Sequence, residues 1–211
     1  MRLDESGRVA GFGAFPLLQT RRLTLRRITI DDTAFYLELF SDPDVVELTS
    51  QEAPRGIEGA TNELLEYCVQ LFEEDRGIRW GIERNGLPGL IGTIGYHHWV
   101  KEAFRASVGY DLVASARRQG FMTEALCEVL RFGFMEMRLN KVEAHVNPRN
   151  KASIRLLHKL GFHQEGVLRD ETFFHSKFVD KICFGLLARE WGKPASIPES
   201  RNSRNPENIL W

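Results

Sequence analysis

The chain has 211 residues, 43% of them hydrophobic, and 28 Lys and Arg against 29 Asp and Glu for a net charge of -1. That length fits one domain and would make two domains small. The balanced charge lacks the basic excess of a nucleic-acid binder, and no uncharged stretch nears the ~20 apolar residues that cross a bilayer, so neither partner is expected. Cys68, Cys127 and Cys183 are odd in number and lie in apolar runs. They are expected as buried small hydrophobes in a reducing, cytoplasmic protein, not as a disulfide framework or a metal site. The opening "MRLDESGRVAGFG" carries early acids and no apolar signal region, so export is not expected.

In chain order, residues 1–20 are Gly-rich and weakly patterned and are set aside as an N-terminal arm. "RLTLRRI" alternates as a strand, and Asp31 or Asp32 stands where it can cap the helix of "DDTAFYLELF". A second helix is marked by Leu64, Tyr67, Cys68, Leu71 and Phe72 on one face. "IRWGIE", a turn at Asn85 and Gly86, and "LIGTIGYHHW" predict a hairpin, and "ASVGYDLV" continues the sheet. Leu126, Val129, Leu130, Gly133, Phe134 and Met137 make an apolar helical stripe on which Gly133 permits close approach of a neighbour. The strand "KVEAHV" precedes a helix that Asn150 is placed to cap and Gly161 to end, and "KICFGLL" is the last clear strand. The expected fold is mixed α/β with a strand–helix–strand crossover in its second half. A single domain over residues 21–192 precedes a Pro-, Ser- and Asn-rich tail, 193–211.

One junction calls for chemistry. In "YDLVASARRQGFMTEAL" a strand breaks at "ARRQG" and a helix follows at once. Backbone N–H groups at a helix start lack intrahelical partners, and the dipole there favours an anion. Gly120 admits close backbone approach, and Arg117 and Arg118 add positive charge, which together describe a diphosphate cradle. Any helix start near arginines shares some of these features. No Gly-x-Gly-x-x-Gly after a strand and no Gly-Lys-Ser or Gly-Lys-Thr loop competes with it.

The chain here resembles the GNAT superfamily of acyl-CoA-dependent N-acetyltransferases, and within it the ribosomal-protein alanine N-acetyltransferases. The resemblance rests on Arg117, Gly120 and Met122 at the fixed places of the family's pyrophosphate motif, with Met122 replacing a small residue. It extends through "SVGYDLV", "GFMTEAL", "NKVEAHVNPRNKASIRLLHKLGF", "EGVLRD" and "GLLAREW", about residues 23–191. It implies a splayed central sheet flanked by helices and acetyl-CoA as acetyl-donor cosubstrate, with no metal. The backbone of Leu112 and Val113 would meet the pantetheine amides. The diphosphate would lie on Arg117, Arg118, Gln119, Gly120, Phe121, Met122 and Thr123, with Asn150 capping its helix, reaching the pantetheine, or both.

Acetyl transfer to an amine needs a neutral amine, a stabilised oxyanion and a proton for the thiolate. Direct attack then requires no cysteine. Many family members donate that proton from a tyrosine, where this chain has Leu157; the subgroup resemblance points instead to Ser153, whose other reading is as the N3 residue of its helix cap. For the base, His97 and His98 lie on one strand whose alternation sends one to each face, and His97 is the candidate, with Glu83, Asp111 and Glu171 as further options. Glu171 lies next to Thr172, the position that carries a glutamate in the subgroup. Glu47, Glu52 and Glu58 either attract a cationic amine or form a solvated face, and Trp80, Tyr96 and Trp99 either line the pocket or fill the core. The acceptor implied is a primary amine, either a protein N-terminus or a small molecule, and homodimer formation is left open. The alternative is an acyl-CoA-binding sensor that has lost turnover.

Overall fold

In the computed structural model, which describes residues 2–3, 5 and 9–192, a short ribbon of β1 (Arg2–Leu3) and β2 (Val9–Gly11) leads into the main sheet. That sheet begins with β3 (Leu18–Gln19) and β4 (Leu23–Arg27), where Leu23 and Leu25 alternate inward and are fully buried. Helices α1 (Thr33–Ser41), α2 (Pro43–Thr49) and α3 (Gly56–Leu64) follow. A π-helical segment, Leu65–Gln70, continues α3 into the short α4 (Leu71–Glu73). Strands β5 (Ile78–Arg84), β6 (Leu90–Val100) and β7 (Arg105–Leu112) form a meander, and α5 (Phe121–Met135) crosses over to β8 (Lys141–Val146). Helix α6 (Lys151–Lys159) and a hairpin of β9 (His163–Phe174) and β10 (Lys177–Leu187) complete the fold.

The sheet order is β3-β4-β5-β6-β7-β8-β10-β9. Every pairing is antiparallel except β7 with β8, which are parallel through Arg105↔Lys141, Ala106↔Val142 and Ser107↔Glu143. Beyond Ser107 the two strands part, β7 staying on β6 and β8 staying on β10. The sheet is therefore mixed and, among the described residues, splayed at its only parallel junction, as the resemblance implies.

The main core packs α5 and α6 against the sheet, with Trp80, Tyr96 and Phe184 fully buried. Gly133 shows why a helix stripe carries a glycine. A Cβ there would lie 2.3 Å from the Tyr96 hydroxyl, which donates to Val129 O at 2.9 Å. A second cluster joins Ile28 and Leu90 to Tyr36, Leu39, Ala60 and Leu64 of the early helices. Helix α6 ends as Gly161 predicts. Its φ is +88°, and Gly161 and Phe162 donate to His158 and Leu157 in a closed C-terminal cap.

Several expectations need correction. Of the stretch set aside as an N-terminal arm of unpredicted order, residues 9–20 pack on the core: Val9, Phe12 and Leu18 are buried, Phe12 stacks on Phe72, and Trp80 Nε1 donates to Pro16 O at 2.7 Å. Asp32 sits at the start of α1, yet its carboxylate serves Thr29 N–H and Arg26, each at 2.9 Å, instead of capping that helix. Tyr67 is half-exposed because the wider π turns rotate it away from Leu64 and Cys68. Cys68 is buried, but Cys127 lies on the outward side of α5 and is exposed, and Cys183 is intermediate; all three are free thiols. The tail, 193–211, lies outside the described residues.

Candidate active site

A cleft of about 1240 Å³ opens where β7 and β8 diverge. Its walls come from the α3–α4 segment, from β6 and β7, and from β8 with the first turn of α6. Antiparallel pairing alternates which residues bond to the neighbouring strand. Val113 N donates to Ile91 O at 3.0 Å, so in the register Thr93↔Asp111 and Gly95↔Gly109 the odd-numbered residues of β7 face β6. Val108, Tyr110 and Leu112 then turn their backbone groups toward the gap. Leu112 thus has its amide on the side expected. Val113 does not: its N–H is taken by Ile91 and its carbonyl accepts from Ala116 N.

At the wide end of the gap stands the start of α5. Arg118 and Gly120 have φ of +63° and +78°, left-handed conformations that curl the loop before the helix. The amides of Arg118, Gln119, Gly120, Phe121, Met122 and Thr123 donate to no acceptor among the described residues, whereas Glu124 N returns to Gly120 O at 3.1 Å. Phe121 and Met122 bury their side chains in the core, so a large residue in place of the family's small one leaves the backbone face open. These unspent donors at a positive helix end suit a diphosphate, and the unpaired edge of β7 beside them suits an amide-bearing arm.

The two arginines part company. Arg118 makes no hydrogen bond or ion pair among the described residues and is a cation available to an anion. Arg117 instead bonds Asp42 at 2.8 Å, Asp44 at 2.9 Å and Leu112 O at 3.1 Å, so its charge is matched by acids at the start of α2. The reason is local: Asp42 and Pro43 begin that helix, and Asp42 caps it by accepting from Asp44 N. Arg117 positions the loop and does not add the free charge expected of it. Arg22 was not foreseen. Its guanidinium bonds Glu124 at 2.6 Å and Gln119 O at 3.1 Å, stacks on the Phe121 ring, and lies 3.4 Å from where a Gly120 Cβ would be.

Across the gap, Asn150 Oδ1 accepts from Ser153 N at 3.0 Å, which makes Asn150 a helix cap. The Ser153 hydroxyl takes no part in that cap. It lies 2.7 Å from the Tyr110 hydroxyl, joining α6 to β7 across the splay. Burial pushes the Tyr110 phenol up to about 12, opposed by the Ser153 bond.

On the opposite side, Arg79 donates to Thr93 and to Asp111 at 2.7 Å. Burial raises the Asp111 carboxyl, with Arg79 pulling it back, so Asp111 is a paired structural acid. His97 and His98 do not take opposite faces. A bulge lies between His97 and Val100, His98 adopts a φ of +49°, and both rings line the cleft 4.8 Å apart. Burial, reinforced by Arg79, pushes His97 down to about 3. That shift runs against a base poised near neutrality. Glu83 is tied to Arg26 and to Gly89 N, and Glu171 is exposed on β9. Glu47 pairs with Arg149 and Glu58 is exposed on α3, while Glu52 does line the cleft. Sequence reasoning missed Glu63 and Glu66, one turn apart and facing the cleft; burial, with Glu66 nearby, raises the Glu63 carboxyl. Trp80 and Tyr96 are fully buried, Trp99 is buried, and Tyr96 and Trp99 also border the cleft.

Among the described residues no helix is long and apolar enough to cross a membrane. The chain is 41% identical over 173 residues to YoaA of Bacillus subtilis, described as an uncharacterized N-acetyltransferase, a match covering 82% of this chain and 97% of that protein. It is 28% identical over 103 residues to the [ribosomal protein uS5]-alanine N-acetyltransferase of Escherichia coli, covering 48% of this chain and 53% of that enzyme. The fold superposes with a TM-score of 0.72 on spermidine N-acetyltransferase from Vibrio cholerae in complex with CoA and spermine, at 20% identity over 81% of this chain and 98% of that one. Residues 22–163 match the acetyltransferase (GNAT) domain model, and with this fold and these relatives the chain belongs to the GNAT family of N-acetyltransferase enzymes.

Proposed function

We propose that this enzyme transfers an acetyl group from acetyl-CoA to a primary amine by direct attack. One observation carries the reading: the free amides of Arg118–Thr123 and the unpaired edge of β7 meet at one end of the splay. When bound, acetyl-CoA supplies an activated thioester, and the chain's residues position it. The amides at the start of α5 and the Arg118 side chain hold the diphosphate, and the gap-facing amide of Leu112 meets the pantetheine. Ser153 faces the gap from α6 and donates a proton to the departing sulfur.

The acceptor enters beside Glu52, Glu63 and Glu66, whose carboxylates favour a cationic amine. A protein N-terminus is favoured by the similarity to the uS5-alanine enzyme and a polyamine by the fold shared with the spermidine enzyme; the acidic wall suits both. Proton removal falls to Glu63 more readily than to His97. Burial, with Glu66 nearby, raises the Glu63 carboxyl and so makes it more basic, whereas burial beside Arg79 lowers His97.

The test is release of free thiol from acetyl-CoA with spermine, spermidine and Ala- or Ser-initiated peptides. At least one amine is expected to accelerate release and gain an acetyl group by mass. Tight CoA binding with no release for any acceptor would leave a sensor and overturn the enzymatic reading.

A further inference from the structure

We propose that Tyr110 and Ser153 form a two-hydroxyl relay, in which Ser153 hands its hydrogen to the departing sulfur and Tyr110 replenishes Ser153. The inference rests on the acetyl-transfer reading of the cleft and names the group that restores the proton Ser153 gives up. The two oxygens lie 2.7 Å apart, one from the unpaired stretch of β7 and the other from the first turn of α6, so the pair bridges the walls between which the pantetheine would pass. Both side chains line the cleft. Asn150 fixes the backbone of Ser153, which leaves its hydroxyl committed to Tyr110 alone among the described residues. Helix α6 offers no phenol of its own, since Leu157 one turn on is fully buried in the core.

A serine hydroxyl alone is a weaker acid than a phenol, and the order holds with burial pushing the Tyr110 phenol up to about 12. Burial holds Tyr110 protonated before reaction, and the same dry surroundings raise the proton affinity of a thiolate formed beside it. The step balances as follows. The amine nitrogen bonds to the thioester carbonyl carbon, the carbon–sulfur bond breaks, and its electron pair stays on sulfur. Sulfur takes the Ser153 hydrogen as Ser153 takes that of Tyr110. The proton that Glu63 takes from the amine passes through cleft water to the tyrosinate, so no net proton is gained or lost.

A buried tyrosine also needs a hydrogen-bond partner simply to be buried, so the test must separate relay from packing. Tyr110→Phe, Ser153→Ala, the double variant and Ser153→Thr are compared with the wild type, using acetyl-CoA and the best amine from the panel. Calorimetry measures CoA affinity, and a second donor is the acetyl thioester of an aromatic thiol, whose thiolate departs without needing a proton. The relay predicts a fall in kcat of about 100-fold in either single variant with CoA affinity unchanged. The double variant should be no slower than the slower single one, Ser153→Thr should recover activity, and the losses should vanish with the aromatic thioester. Wild-type kcat in Tyr110→Phe, losses that multiply in the double variant, or equal losses with both donors would overturn the relay alone. A wild-type chain that cleaves neither donor with any amine overturns the acetyl-transfer reading, and the relay with it.

Discussion

Two helices begin beyond the diverging ends of β7 and β8, and they treat their first amides in opposite ways. Helix α6 caps itself, with Asn150 accepting from Ser153 N, and what it presents to the gap is a side-chain hydroxyl. Helix α5 starts after Gly120 with no side-chain cap, and what it presents is a row of backbone donors. A self-satisfied start can position a reacting group, because nothing needs to arrive to complete it. An unsatisfied start can bind an anion, since its donors have only solvent to lose. On the proposed reading, the difference between the two N-cap residues, an asparagine and a glycine, separates a chemical end of the splay from a binding end.

The comparison is broken most severely by placing a carboxylate at the open start. Gly120→Asp puts negative charge among the amides, and aspartate tolerates left-handed backbone better than most residues, so the fold should persist. CoA affinity is expected to fall at least about 100-fold, roughly 3 kcal/mol, by calorimetry. Unchanged affinity would show that the amides do not hold the diphosphate.

The cleft floor offers the next largest effect. His97 has a folded-state pKa of about 3 against about 6.5 unfolded, so between those values the unfolded chain binds more protons and stability falls as pH drops. From pH 7 to pH 5 the wild type should lose on the order of 2 kcal/mol more than His97→Asn, read from urea midpoints at the two pH values. Parallel losses would mean that His97 is not held neutral.

Removing the cap from the closed start sharpens the contrast. Asn150→Ala should cost about 1 kcal/mol of stability and lower kcat by loosening Ser153, while CoA affinity stays within about twofold. A large loss of CoA affinity would instead mean that Asn150 reaches the pantetheine. The smallest effect is expected at the strap beneath α5. Glu124→Gln weakens the bonds to Thr20 and Arg22, and because Arg22 is 37% exposed the cost should stay below about 1 kcal/mol in a denaturant titration.

Much of the fold was legible locally. The alternation of Leu23 and Leu25, the turn at Gly86, the stripe on α5 and the cap at Gly161 each report a periodicity or a backbone requirement that neighbouring residues express by themselves. Strand β9 was not read, because at the edge of the sheet nearly every residue of it is exposed and its pairing with β10 leaves no alternation. The π turn that frees Tyr67 and the bulge that brings both histidines into the cleft each break a period on which sequence reasoning depends. Within the site, the Gly120 loop was legible because an uncapped helix start is a local property. The Arg117 pairs with Asp42 and Asp44 join residues more than seventy positions apart, and the Tyr110 bond to Ser153 spans forty-three.

By itself, then, the amino-acid order determined most of the regular strands and helices, the crossover and the open helix start, because periodic burial and backbone conformation act over a few neighbouring residues. Only the packed structure decided which arginine remains available, which imidazole is buried beside a cation and which phenol meets the serine. Charge pairing and desolvation depend on distance through space, and that distance is set where distant segments close around a common cleft.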